Sequence, residues 1–335
     1  MKRSRLGRAR GILKRAALAL ALLPVLMMPG CRKADEQVPG RAVILGFSQL
    51  GSESGWRIGN SRDIDAAAKR AGIELMFENA EQKQENQIKA IRSFIAYQVD
   101  VIAFAPIVED GWTNVLTEAR EAGIPVLCTD RFISEEDAGL ITGFVGSDFY
   151  EEGRRAGEYL VEKADRTGAE RLRIVEITGT EDSTPMRQRA IGFREVIGKD
   201  ARFEILESIS GDFLKSKGKE CMNLIFERFG HGFDVVYSHN DAMTMGAIEA
   251  IESEGLEPGK DVIIITVDGE QGAIDLLKEG KINCVVECTP LIGDTIMALA
   301  QKLAAGEAIE RYTYSEETVF SEFDEDLQSI PARGY

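Results

Sequence analysis

From residue 42 onward the chain alternates between short apolar, β-branched runs and longer amphipathic stretches. The runs occupy residues 42–47, 73–77, 101–105, 126–128, 142–145, 173–177, 203–208, 235–238, 262–267 and 283–287. Between them apolar residues recur three and four apart, as at Ile88, Ile91, Phe94 and Ile95, the spacing of a helix that buries one face. Continuously apolar strands separated by such helices predict parallel sheets covered on both sides. Ten strand–helix units are too many for one compact sheet, so the pattern predicts two similar α/β lobes.

The first forty residues break this pattern. Residues 1–30 hold seven bases (Lys2, Arg3, Arg5, Arg8, Arg10, Lys14 and Arg15) and no acid, and the apolar block 16–28 precedes Pro29, Gly30 and Cys31. That block is shorter than the ~20 residues that cross a bilayer as a helix. A basic start, a short apolar core and a small residue before the cut have the form of a secretory signal peptide, expected at 1–30. Cys31, followed by a polar run, reads as a lipoprotein processing site, with Met28 where such sites usually carry Leu. The expectation is a lipidated Cys31 and a linker over 31–40, with the remaining chain extracytoplasmic and held to the membrane only through that anchor.

Charge narrows the partners. The 335 residues carry a formal net charge of −16, and beyond residue 30 the balance is 33 bases against 56 acids, or −23. Nucleic acid is excluded, because phosphate binding needs a basic face. The chain has two histidines, His231 and His239, and no C-x-x-C, so no metal is expected. Cys128, Cys221, Cys284 and Cys288 lie in or beside apolar runs and read as buried free thiols. Neither G-x-x-x-x-G-K-[ST] nor G-x-G-x-x-G follows a strand, and no cofactor is expected.

Open α/β sheets bind ligands at the C-terminal ends of their strands. Here those ends carry hydroxyls, amides, carboxylates, guanidiniums and aromatic rings. They comprise residues 48–57, Pro106, residues 129–131, 179–189, 210–213, 238–241, Asp268 with Gly269, and 287–289.

In and beside these loops, and elsewhere along the chain, stand GFSQLGSESGWR (46–57), QKQENQIKAIRSF (82–94), APIVEDGW (105–112), IPVLCTDR (124–131), GDFLKSKGKE (211–220), HNDAM (239–243) and GLEPGKD (255–261). With them the sequence, over roughly 42–335, resembles the periplasmic sugar-binding proteins of ABC importers, type I, the ribose- and galactose-binding family. The first two segments match its galactofuranose-binding branch more than its ribose-binding one. The resemblance implies two Rossmann-like lobes with parallel sheets, joined by a three-strand hinge. One lobe is expected at 41–145 with 289–318, the other at 146–288 with 319–331. It implies a monosaccharide ligand, galactofuranose or a related furanose, closed between the lobes and delivered to an ABC permease by a monomeric protein. The alternative is a sensor that presents the closed form to a chemotaxis or sensor-kinase receptor.

The resemblance also implies residue roles. Trp56 and Phe213 cover the two sugar faces, Arg57 and Arg131 donate to hydroxyl or ring oxygens, and Asp130 accepts. Arg189, Asn240 and Asp268 contribute from the second lobe. Glu287 stands where ribose-type members carry Gln, which fits a different sugar, and Ser52 and Glu53 lie within reach. Thr184 and His239 are weaker candidates, Arg187 is expected to face solvent, and Asp241 is expected to cap the helix after it. No catalytic residue is assigned. A glycosidase needs two carboxylates at a defined separation, and no G-x-S-x-G motif is present. A repressor of the same fold would carry a DNA-binding helix-turn-helix where the export signal stands.

Overall fold

The computed structural model describes residues 41–335; the expected signal peptide, Cys31 and linker lie outside them. In the first lobe the apolar runs become β1 (Ile44–Gln49), β2 (Glu74–Asn79), β3 (Val101–Phe104), β4 (Val126–Thr129) and β5 (Gly143–Gly146). The amphipathic stretches become α1 (Gly55–Ala71), α2 (Gln84–Tyr97), α3 (Thr113–Glu121) and the single turn α4 (Glu135–Ala138). The second lobe repeats the scheme with α5 (Phe149–Thr167), β6 (Leu172–Thr178), α6 (Thr184–Ile197), β7 (Phe203–Ser210), α7 (Lys215–Phe229), β8 (Val235–Ser238), α8 (Asp241–Ser253), β9 (Ile263–Asp268), α9 (Gln271–Lys278) and β10 (Cys284–Glu287). The chain then returns through α10 (Gly293–Ala304), β11 (Tyr312–Tyr314) and β12 (Val319–Ser321).

The strand order is β11-β5-β4-β3-β1-β2 in one six-stranded sheet and β12-β10-β9-β8-β6-β7 in the other. Every pairing is parallel except β10 with β12. Both sheets therefore reverse direction of growth at their first strand, a doubly wound order that opens a crevice at the strand C-termini. Apolar clusters lie on both faces of each sheet: Leu45, Ile64, Val101 and Ile296 against Phe94, Phe104, Trp112 and Val126 in the first, and Ile174, Phe193 and Val286 against Val236, Ile251 and Val285 in the second.

Two local devices aim side chains at the crevice. Ser54 caps α1, its hydroxyl accepting the Arg57 N–H at 3.1 Å, which turns the chain so that Trp56 and Arg57 leave the helix start inward. Gly153 and Gly192 let α5 and α6 touch backbone to backbone, where any Cβ would collide with the other helix, and this contact sets Arg189 beside Glu152. Cys128, Cys221, Cys284 and Cys288 are all buried, free thiols. Among the described residues no helix is long and apolar enough to cross a membrane.

Candidate functional site

Between the strand ends of the two sheets lies a small cavity of about 30 Å³, lined from the first lobe by Glu53, Ser54, Trp56, Arg57, Asp130 and Arg131. The second lobe contributes Phe149, Pro185, Arg189, Phe213, Asn240 and Asp268, with Cys288 at the crossing between lobes.

The first-lobe wall is a network of buried charges. Arg57 donates through Nε to Glu53 Oε1 at 3.0 Å, and its Nη2 lies 2.6 Å from Asp130 Oδ2. That second contact is an ion pair misaligned for a hydrogen bond, so the Asp130 oxygen keeps accepting capacity. Burial pulls the Arg57 guanidinium down, but Asp130 and Glu53 outweigh it and hold the pKa above the usual value. Arg131 is different. Burial and the neighbouring Arg57 charge lower it to about 10 against the pull of Asp130 and Glu53. It donates to the Ile107 carbonyl at 3.1 Å and lies over the Phe213 ring at 5.1 Å. Arg57 Nη1, Arg131 Nε and Glu53 Oε2 are buried without a protein partner. Such atoms cost stability unless something else satisfies them.

On the second-lobe side Arg189 Nε donates to Glu152 Oε2 at 2.6 Å, and Nη1 donates to the His239 carbonyl. Asp268 lies 3.9 Å from Arg189, and burial, then the charge of Asp241, push its carboxyl well above the usual range. Asn240 caps α8 through Oδ1, accepting the Met243 N–H at 3.0 Å. Three of the lining residues, Asp130 (φ 59°), Phe213 (φ 60°) and Asp268 (φ 124°), hold left-handed backbone. For Phe in particular that conformation is costly and persists where surrounding structure enforces it.

The lobes touch on both sides of this cavity. Trp56, from the first lobe, packs into the second lobe's apolar cluster and donates its indole N–H to the Cys288 carbonyl at 2.6 Å. Thr184 exchanges hydrogen bonds with the Phe132 backbone at 2.7 and 3.0 Å, and Arg187 pairs with Glu109 at 2.7 Å. The arrangement is a closed one.

The structure thus brings together Trp56, Arg57, Glu53, Asp130, Arg131, Arg189, Phe213, Asn240 and Asp268, but not Ser52 or Glu287. Ser52 is exposed, and its hydroxyl accepts from Asn79 at 2.9 Å. Glu287 turns away from the cavity to Arg333, and accepts the Thr318 N–H at 3.0 Å. Two smaller expectations also change. Asp241 does not cap α8: it accepts the N–H groups of Gly269 and Glu270, and Asn240 takes the cap. Thr184, a weaker candidate, bonds across the cleft to the Phe132 backbone and does not line the cavity. Arg187 is largely solvent-facing, and His239 is buried against Glu176 at 3.0 Å, outside the cavity lining.

Phe149 was not foreseen. It opens α5 directly after the crossing from the first lobe, where Arg189 lies over its ring at 5.1 Å. An aromatic at a lobe crossing was the available signal. One trio, Glu152, Cys288 and Glu317, has ligand atoms within 4.8 Å of one another. Its groups are already occupied, Glu152 by Arg189 and Glu317 by the Ser147 hydroxyl and the Thr289 N–H, and burial raises all three pKa values. The bonds these groups already make account for the trio.

Comparison with known proteins agrees with this geometry. Residues 45–308 match the family model described as periplasmic binding protein domain. The chain is 38% identical to the galactofuranose-binding protein of Escherichia coli over 87% of this chain and 92% of that one. A Mycobacterium smegmatis protein solved in complex with β-D-fucofuranose is 42% identical, with a TM-score of 0.82 over 86% of this chain and 93% of that one. The binding component of the arabinose ABC transporter of Shewanella sp. ANA-3, bound to α- and β-L-arabinofuranose, is 41% identical, with a TM-score of 0.80 over 86% and 94%.

Proposed function

Because this chain belongs to the periplasmic binding protein domain family, we propose that it is the extracytoplasmic solute-binding component of an ABC sugar importer. It takes one furanose between its closing lobes and presents the closed form to a membrane permease. The relatives named above are binding proteins, and the chain is a binding protein rather than an enzyme.

The observation that carries this reading is the cavity lining itself: paired carboxylates and guanidiniums with spare buried donors and acceptors, closed by the rings of Trp56, Phe149 and Phe213. A sugar presents hydroxyls around its edge and C–H groups on its faces, and each kind of wall suits one of those surfaces. Galactofuranose is the proposed ligand. Arg131, lowered to about 10 and short of compensating charge, gains most from a hydroxyl or ring oxygen placed against it.

A calorimetric panel of galactofuranose, L-arabinofuranose, ribose and galactopyranose tests the reading. Galactofuranose is expected to bind most tightly, with a stoichiometry of one. Tighter binding of another sugar reassigns the ligand within the family, and failure of every sugar sinks the proposal.

A further inference from the structure

Glu270 occupies the position from which a residue ordinarily caps its own helix. It is the N-cap of α9, yet its side chain makes no capping bond there. The carboxylate reaches instead across the cleft to the other lobe. Its Oε1 accepts the backbone N–H of Trp56 at 2.8 Å, and its Oε2 lies so close to Gly55 that any Cβ there would collide with it. Gly55 and Trp56 are the first two residues of α1, a 17-residue helix with no acid in its first turn. Ser54 Oγ satisfies only the Arg57 N–H. A helix start leaves several N–H groups unpaired and carries partial positive charge, so a carboxylate delivered there is favourable on both counts.

The loop that delivers Glu270 is held from two directions. Asp241 accepts the N–H groups of Gly269 at 2.8 Å and Glu270 at 2.7 Å. From the other side, the Tyr335 carbonyl accepts the Gln271 N–H at 2.8 Å, the Arg333 N–H donates to Gln271 Oε1 at 2.8 Å, and Arg333 Nε donates to the Gly269 carbonyl at 3.2 Å. Tyr335 also reaches α1, where a Cβ on Gly59 would stand 2.9 Å from its own.

We propose that Glu270 is an inter-lobe helix cap: its carboxylate caps α1 only when the lobes are closed, and so sets how long the closed form, with its sugar, persists. Glu270 does not line the cavity and is a positioning residue, acting through Trp56 and α1. The inference rests on the two-lobe binding function proposed above. Opening the cleft returns both the Trp56 N–H and the carboxylate to water, so the cap contributes in one state alone.

The test uses the chain labelled for single-molecule energy transfer through Lys89→Cys on α2 and Lys217→Cys on α7, both exposed positions, one on each lobe. With no sugar present, Glu270→Ala is expected to lower the closed-to-open ratio about tenfold, the size of a charged helix cap. With sugar, the release rate rises by a similar factor and the association rate stays within about twofold, a split that general loss of structure would not give. Glu270→Gln, which keeps an acceptor without the charge, recovers part of both effects, and Glu279→Ala on the same lobe's surface leaves both unchanged. An unaltered closed-to-open ratio in Glu270→Ala overturns the inference. If no sugar binds the unsubstituted chain, the functional reading falls, while the sugar-free ratio still decides the latch.

Discussion

On the first-lobe side of the cavity Glu53, Arg57, Asp130 and Arg131 form a net of buried charges, two positive and two negative, in which Arg57 is well paired and Arg131 is not. On the second-lobe side Arg189 is held through Nε by Glu152 and through Nη1 by the His239 carbonyl, Asp268 is pushed towards its neutral form, and Phe149 and Phe213 supply apolar faces. On the proposed function, this difference would divide the work of recognition. The first lobe carries charge that a sugar's hydroxyls can complete, whereas the second carries shape and largely neutral hydrogen bonding. A ligand that meets the first wall before the second would then be covered as the lobes close, and closure needs contacts to both.

Substitution of Asp130 should have the largest effect. Asp130→Asn keeps the size of the side chain and tolerates the left-handed backbone at φ 59°, but removes the charge that faces Arg57. Losing a ligand hydrogen bond to a charged acceptor costs up to about 3 kcal/mol, or roughly two orders of magnitude in affinity. Titration calorimetry with the tightest furanose should show that loss while the fold survives. A change below about threefold would mean that the first-lobe charges serve the fold alone.

Phe213→Ala should come next, with a loss of about 2 kcal/mol, near thirtyfold. On the proposed binding mode the ring would cover the ligand, and it lies under the Arg131 guanidinium, so the substitution also removes a cation–π contact. Phe213→Leu restores apolar area without the ring and should recover part of the affinity. Full recovery would show that area, not the aromatic face, is what the second lobe supplies.

Asp268→Asn sharpens the contrast from the other side. A carboxyl that burial already drives towards its protonated form differs little from an amide in charge, so the loss should not exceed about tenfold. If the affinity falls as far as in Asp130→Asn, the second lobe holds an ionised acceptor and the division between the walls disappears.

Much of this organisation could be read along the chain, and the exceptions have separate physical causes. The ten apolar runs became ten strands, eight of them covered on both faces as continuous hydrophobicity predicts, while β2 and β7 lie half-exposed at the sheet edges. β11 and β12 escaped because each is three residues long, with Tyr312 and Tyr314 exposed on a sheet edge. In the cavity, the two expected residues that fall outside it stand next to residues that line it. Glu287 turns out while Cys288 turns in, and Ser52 turns out while Glu53 turns in. Successive side chains on extended backbone point to opposite sides, so a displacement of one residue moves a side chain from cavity to exterior. The left-handed backbone at Asp130, Phe213 and Asp268 left no trace in the sequence, because tertiary packing, not residue type, imposes it.

The smallest effect on affinity should come from the hinge, which belongs to neither wall. Glu317 accepts from the Ser147 hydroxyl at 2.6 Å and from the Thr289 N–H at 2.8 Å, so one carboxyl joins all three crossing segments. Burial, then the charge of Glu152, raise it from 4.5 to about 8, while Arg189 pulls the other way and Cys288 lies in the same cluster. A carboxyl whose folded pKa exceeds its unfolded one binds an extra proton in the folded state between the two values. Stability from this group is therefore present in full below about 4.5 and is lost as pH rises towards about 8. Glu317→Gln keeps the acceptor for Ser147 and Thr289 but cannot ionise. Denaturant unfolding at a series of pH values across that window should fall less steeply for the variant, with sugar affinity unchanged at the acid end. Parallel slopes in the two proteins would mean that Glu317 stays ionised, and that the crossings are held by charge rather than by a shared proton.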